Sequence, residues 1–68
     1  MSDKAANLVR MVNQIAANLA VRGEAVAIEE TAKHIRLYWD PRMRHEILMA
    51  NDADLSKIAR VAITRLPD

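Results

Sequence analysis

Glycine and proline, the residues that most often interrupt regular structure, occur in this chain only at Gly23, Pro41 and Pro67. Between them the apolar residues recur every three or four positions, which is the period of an α-helix. Ala, Val, Ile, Leu and Met dominate the apolar content, which is typical of a helical bundle. We therefore predict an all-α fold, a small bundle of about four short helices forming a single domain over residues 1–68.

The first two predicted helices are delimited by capping residues. The first runs over about residues 3–21 with Ser2 as its N-cap, and Gly23 follows where a helix end favours a positive φ. The second runs over about residues 24–38. The residues predicted to face the core are Leu8, Met11, Val12, Ile15 and Leu19 in the first helix and Ala25, Ile28, Ala32, Ile35 and Trp39 in the second.

The dipeptide Asp40-Pro41 predicts the start of a third helix, over about residues 41–50. Asp is a preferred N-cap, and Pro suits the first helical position because its missing N–H would have no partner there. The residues predicted to face the core are Met43, Ile47 and Ala50.

A polar turn at residues 51–54 separates this helix from a fourth. Asp54 is the predicted N-cap, the helix runs over about residues 55–66, and Pro67 ends it. The residues predicted to face the core are Leu55, Ile58, Ala59, Ala62 and Leu66.

Some polar residues within the helices allow more than one interpretation. Asn13 and Gln14 lie on solvated surface, or one of the two amides caps a neighbouring loop or contacts a partner. Glu29 precedes Lys33 by four residues, which is the favourable order for an ion pair on a helix surface.

The small size and the lack of cysteine both point to a partner. A domain of this size buries only about 60% of its unfolded surface, so its own core gives marginal stability. With no cysteine, the chain can supply neither disulfides nor thiolate ligands for zinc or iron–sulfur clusters. A partner protein is therefore the expected source of additional stability.

Positive charge is concentrated in the middle of the chain. The formal net charge is only +1, yet residues 33–45 carry four cationic side chains against one aspartate, and both flanking regions are slightly acidic. No apolar run is long enough to span a membrane, and the first residues lack the pattern of a signal peptide. We expect a soluble cytoplasmic protein.

The central segment, His34 to Arg44, reads H-I-R-L-Y-W-D-P-R-M-R and combines the two large aromatic residues with arginines. Aromatic residues and arginine are the usual anchors of protein interfaces. Arg42 and Arg44 flank the inward-facing Met43 and are expected to project to the surface. Two alternatives remain, since the tryptophan can instead fill a small core and the cations can form a solvated face. The predicted partner-binding residues are His34, Tyr38, Trp39, Arg42 and Arg44.

Other functions have weaker support. No serine or threonine is adjacent to a histidine in sequence, and one glycine cannot form a phosphate-binding loop. His34 and His45 can approach each other across the turn, but a complete metal-ligand set is missing. A helix-turn-helix with Arg42, Arg44 and His45 on DNA phosphates is an alternative, although the rest of the chain is slightly acidic.

Three sequence blocks resemble the delta subunit of the cytoplasmic, NAD-dependent, molybdenum-containing formate dehydrogenases. The first is L-V-R-M-V-N-Q-I-A at residues 8–16. The central block is the most specific, because an aromatic residue with Trp, then an acidic residue and Pro-Arg-Met-Arg, is unlikely by chance in a short helical protein. The third block, L-S-K-I-A-R-V-A-I at residues 55–63, is weaker.

The resemblance implies a non-catalytic accessory subunit that serves structure, maturation or cofactor insertion. In that family the alpha subunit holds a bis-molybdopterin guanine dinucleotide and iron–sulfur clusters. The beta and gamma subunits carry FMN, further clusters and the NAD site. The resemblance therefore implies no cofactor in this chain, with the alpha subunit as its partner in a complex that also contains beta and gamma subunits.

Overall fold

The computed structural model describes residues 3–50 and 52–66, and within them the chain is helical and contains no strand. This confirms the predicted all-α class, whereas the predicted N-cap Ser2 lies outside the described residues. The four α-helices are α1 (Asp3–Leu19), α2 (Glu24–Tyr38), α3 (Pro41–Leu48) and α4 (Lys57–Thr64), and short 3₁₀-helices occupy Ala20–Arg22 and Asp52–Asp54.

The turn between α1 and α2 is built around Gly23. Helix α1 ends two residues earlier than predicted, because the chain tightens into a 3₁₀ turn before the glycine. The Gly23 N–H donates to the carbonyl oxygen of Ala20 over 3.0 Å. The φ of Gly23 is 99°, which confirms the predicted positive φ, and its ψ of 150° directs the chain into α2. Gly23 is also the N-cap of α2. An L side chain rarely adopts this φ, so the backbone favours glycine here although the space around it is open.

The start of α3 is the one predicted. Asp40 has an extended backbone, its Oδ1 accepts a hydrogen bond from the N–H of Met43 over 2.8 Å, and Pro41 is the first helical residue. Helix α2 ends at Tyr38, also as predicted, whereas α3 ends at Leu48 instead of continuing to residue 50.

The prediction for the start of α4 was wrong. Ser56, not Asp54, is the N-cap, and its Oγ accepts from the N–H of Ala59 over 3.2 Å. Asp54 belongs to the preceding 3₁₀-helix, and Leu55 between them is buried. Asp54 and Ser56 both have side chains that can cap a helix N-terminus. The helix begins after the later of the two, and Leu55 is buried in the turn that precedes it.

Asn13 holds this turn in place from the middle of α1. Its Nδ2 donates to the carbonyl oxygen of Asp54 over 2.9 Å, and its Oδ1 accepts from the N–H of Ser56 over 2.9 Å. Of the interpretations open for the polar pair, loop capping is therefore correct for Asn13. Gln14 makes only a surface hydrogen bond, to Asn18.

The core is aliphatic apart from Trp39 and Thr31, and all four helices contribute to it. The predicted inward faces were only partly right. Met11 is 43% exposed and Ala25 is exposed, because the apolar face of a helix is often wider than the arc that its neighbours cover. Buried positions outside the predicted faces are Val9, Ala16, Ala27, Thr31 and Ile63.

Ion pairs link helices instead of neighbours within one helix. Glu29, predicted to pair with Lys33, has its Oε2 2.9 Å from Nη1 of Arg65, just past the end of α4. Glu24 pairs with Lys57 over 3.2 Å and thus also joins α2 to α4. Because these pairs are exposed, each contributes at most about 1 kcal/mol.

Candidate protein-interaction surfaces

The five predicted partner-binding residues do not form one surface. Trp39 is only 5% exposed and belongs to the core. His34 and Tyr38 lie one turn apart on the exposed side of α2, with ring centroids 4.9 Å apart and planes tilted by 45°. Arg42 is exposed in the first turn of α3, and Arg44 is half-buried. A role in partner binding remains a prediction for all five.

Arg44 has a contact that the sequence did not indicate. Its Nη1 donates to the carbonyl oxygen of Trp39 over 2.6 Å, at the C-terminal end of α2. Arg44, which was expected to project to the surface, is thus half-buried and bound to the backbone. A guanidinium at this position complements the negative end of the α2 dipole and ties the corner between α2 and α3.

Exposed apolar and cationic residues lie together along α1 and α2. Two shallow depressions there share His34 as a lining residue. We call the pair the α1–α2 groove. Its apolar and aromatic lining consists of Met11, Ile15, Leu19, His34, Leu37 and Tyr38, and its charged lining consists of Arg10, Arg22, Glu30 and Lys33.

The charge of this groove is not balanced within the described residues. Arg10 donates to the side-chain oxygen of Asn7, and neither it, Arg22 nor Lys33 forms an ion pair in the part of the chain that the structure describes. Glu30 is the one carboxylate among the lining residues of the two depressions. The groove therefore combines exposed apolar area with a net positive charge.

A second, smaller depression lies on α3. We call it the α3 pocket, and its lining residues are Pro41, Arg44, His45, Leu48 and Met49. Met49 is 75% exposed. Arg44 is the one arginine of this pocket, so the pocket carries less positive charge than the groove.

Two further observations concern sites of other kinds. Among residues 3–50 and 52–66 no three His, Asp or Glu side chains come together as a metal site, so His34 and His45 do not complete one there. None of the helices in that part of the chain has the length and apolar character needed to cross a membrane.

Fold and surfaces together define a small helical chain with exposed apolar and cationic faces, as expected of a subunit that binds another protein. A family model described as the NADH-dependent formate dehydrogenase delta subunit FdsD matches residues 7–63. The chain belongs to this family, and the matched range includes both the α1–α2 groove and the α3 pocket. No curated protein and no solved structure matches the chain.

The sequence contained signals for the groove that were not used. Leu37 is an apolar residue outside the predicted inward face of α2, and it is 60% exposed. Met11 lies at the edge of the apolar face of α1. An apolar residue outside the buried face of its helix indicates a candidate interaction surface. The sequence alone does not show that these two residues face the same side of the molecule.

Proposed function

We propose that this chain is a non-catalytic accessory subunit that binds the alpha subunit of an NADH-dependent formate dehydrogenase. The match of residues 7–63 to the delta-subunit family carries the proposal. The exposed apolar and cationic surfaces support it, because a subunit this small gains stability by covering such area against a partner. The proposal includes a cytoplasmic location.

In this proposal the chain itself supplies no catalytic or cofactor-binding group. In this proposal the alpha subunit holds the bis-molybdopterin guanine dinucleotide and iron–sulfur clusters. The beta and gamma subunits hold FMN, further clusters and the NAD site, and this chain serves structure or cofactor insertion.

Co-purification tests the proposal. A tagged alpha subunit is produced together with this chain, in cells that make the molybdenum cofactor and in cells that do not. We expect this chain to be retained on the tagged subunit through washing at moderate salt. Its loss under both conditions would contradict the proposal.

The same experiment separates the two accessory roles. Retention on the cofactor-loaded alpha subunit indicates a permanent structural subunit, whereas retention on the cofactor-free form alone indicates a maturation factor. A salt titration with duplex DNA tests the DNA-binding alternative, because affinity dominated by phosphate contacts falls steeply as salt rises.

A further inference from the structure

We infer that the α1–α2 groove is the main docking surface of this chain and that it takes a partner segment whose apolar residues are bordered by carboxylates. The inference rests on the proposed function in one respect, since it takes the partner to be the alpha subunit. It adds which surface is used and what chemistry the partner must present there.

Exposed apolar side chains lie at both ends of the groove. Met11 is 43%, Leu37 60% and Tyr38 73% exposed, and His34 joins the two ends of the groove. Large apolar side chains gathered on one side of a small soluble domain mark an interaction surface, whereas single exposed residues do not. The occupant must therefore bring apolar side chains of its own.

The positive charge of the groove indicates which residues the docked segment carries at its edges. Two cations at the contact between α4 and α2 have partners, since Lys57 pairs with Glu24 and Arg65 with Glu29. The groove cations Arg10, Arg22 and Lys33 have no ion-pair partner within the described residues. Complementary charge orients a partner and speeds its approach, so aspartate or glutamate residues are expected at the edges of the docked segment.

The dimensions favour a short helix or strand. The α1 side of the groove extends from Asn7 to Leu19, and twelve residues of helix rise about 18 Å. A docked helix of about three turns, or a strand of five to six residues, has this length. A groove between two helices commonly receives an amphipathic helix.

Charge argues against a second copy of this chain as the occupant. A symmetric dimer uses the same patch on both subunits, so groove would face groove and the unpaired cations would meet one another. The α3 pocket is the weaker candidate for the main surface, because Arg44 is its one arginine, whereas the groove has Arg10, Arg22 and Lys33.

Charge reversal with a matched control tests whether the positive charge of the groove contributes to binding. Arg10→Glu reverses a groove cation, and Arg60→Glu makes the same change at an exposed position of α4 that does not line the groove. The dissociation constant is measured against purified formate dehydrogenase from cells that lack this chain. Arg10→Glu should weaken binding about tenfold at low salt and less at high salt, while Arg60→Glu should stay close to wild type.

A second matched pair of variants tests whether the exposed apolar residues of the groove contribute to binding. Leu37→Gln changes an exposed groove residue and Met49→Gln an exposed residue of the α3 pocket, so neither disturbs the core. Leu37→Gln should weaken binding several-fold and Met49→Gln should not. Weakening by Met49→Gln but by neither groove variant would overturn the inference in favour of the α3 pocket.

Two further outcomes are decisive. If the wild-type chain binds and none of the four variants changes its affinity, the docking inference fails while the proposed function stands. If the wild-type chain does not bind the enzyme at all, or binds duplex DNA through Arg10 instead, both fail.

Discussion

Replacing Thr31 with valine should stabilise the fold, because the hydroxyl of Thr31 is buried without a partner. Thr31 lies fully buried in α2, and its Oγ1 makes no hydrogen bond in the structure. A buried hydroxyl without a hydrogen bond costs about 1–3 kcal/mol. Valine has nearly the same shape and a similar helix propensity, so Thr31→Val removes this cost without leaving a cavity.

We expect the free energy of unfolding to rise by about 1 kcal/mol or more. In a domain of this size each kcal/mol raises the melting temperature by about 4–8 °C. Urea unfolding measures the change. Circular dichroism reports the helices, and fluorescence of the buried Trp39, the only tryptophan, reports the core. Coincident transitions from both probes would justify a two-state treatment.

Thr64→Val is the matched control. Thr64 is exposed, and its Oγ1 donates to the carbonyl oxygen of Val61 over 2.6 Å, so the same substitution should bring no gain there. If Thr31→Val is neutral or destabilising, the hydroxyl must be satisfied in solution, for example by the carbonyl oxygen of Ala27 one turn earlier. That result would refute the argument from the unpaired hydroxyl.

Three further changes test local contacts by thermal unfolding. Asp40→Ala should cost about 1 kcal/mol through loss of the α3 cap, and an unchanged melting temperature would show that the cap contributes nothing. Asn13→Asp keeps the acceptor for the Ser56 N–H but places a carboxylate against the carbonyl oxygen of Asp54, so it should destabilise the fold; equal stability would contradict the two-sided role of the amide. Arg44→Ala should cost about 1–3 kcal/mol as a charge-assisted hydrogen bond is lost, whereas Arg42→Ala at an exposed position should change stability by less than about 0.5 kcal/mol; equal effects would exclude a structural role specific to Arg44.

The helix ends show which predictions local sequence can support. The start of α3 followed from Asp40 and Pro41 alone, because a cap acts on backbone groups within three residues of itself. Gly23 could be placed in the same way, since a positive φ is a property of one residue. The N-cap of α4 could not, because Asp54 and Ser56 are equally suitable in isolation and the difference between them involves the burial of Leu55 and the hydrogen bonds from Asn13.

The interaction surfaces, like the helix ends, could be predicted from the sequence only in part. The sequence by itself indicated the helical period and the delta-subunit family. It also indicated the exposed residues His34 and Tyr38 of α2 and Arg42 of α3. It did not indicate that Arg10 of α1 lies across the groove from His34, because that proximity depends on how two helices pack.

Local sequence therefore determined both ends of α2 and the start of α3, since capping and backbone preferences act over a few residues. Tertiary structure decided which side of each helix is covered, and with it the exposure of Met11 and Ala25 and the pairing of Glu29 with Arg65 instead of Lys33. The physical reason is that burial and long-range ion pairs depend on the rotation and spacing of neighbouring helices, which the period of a single helix does not specify.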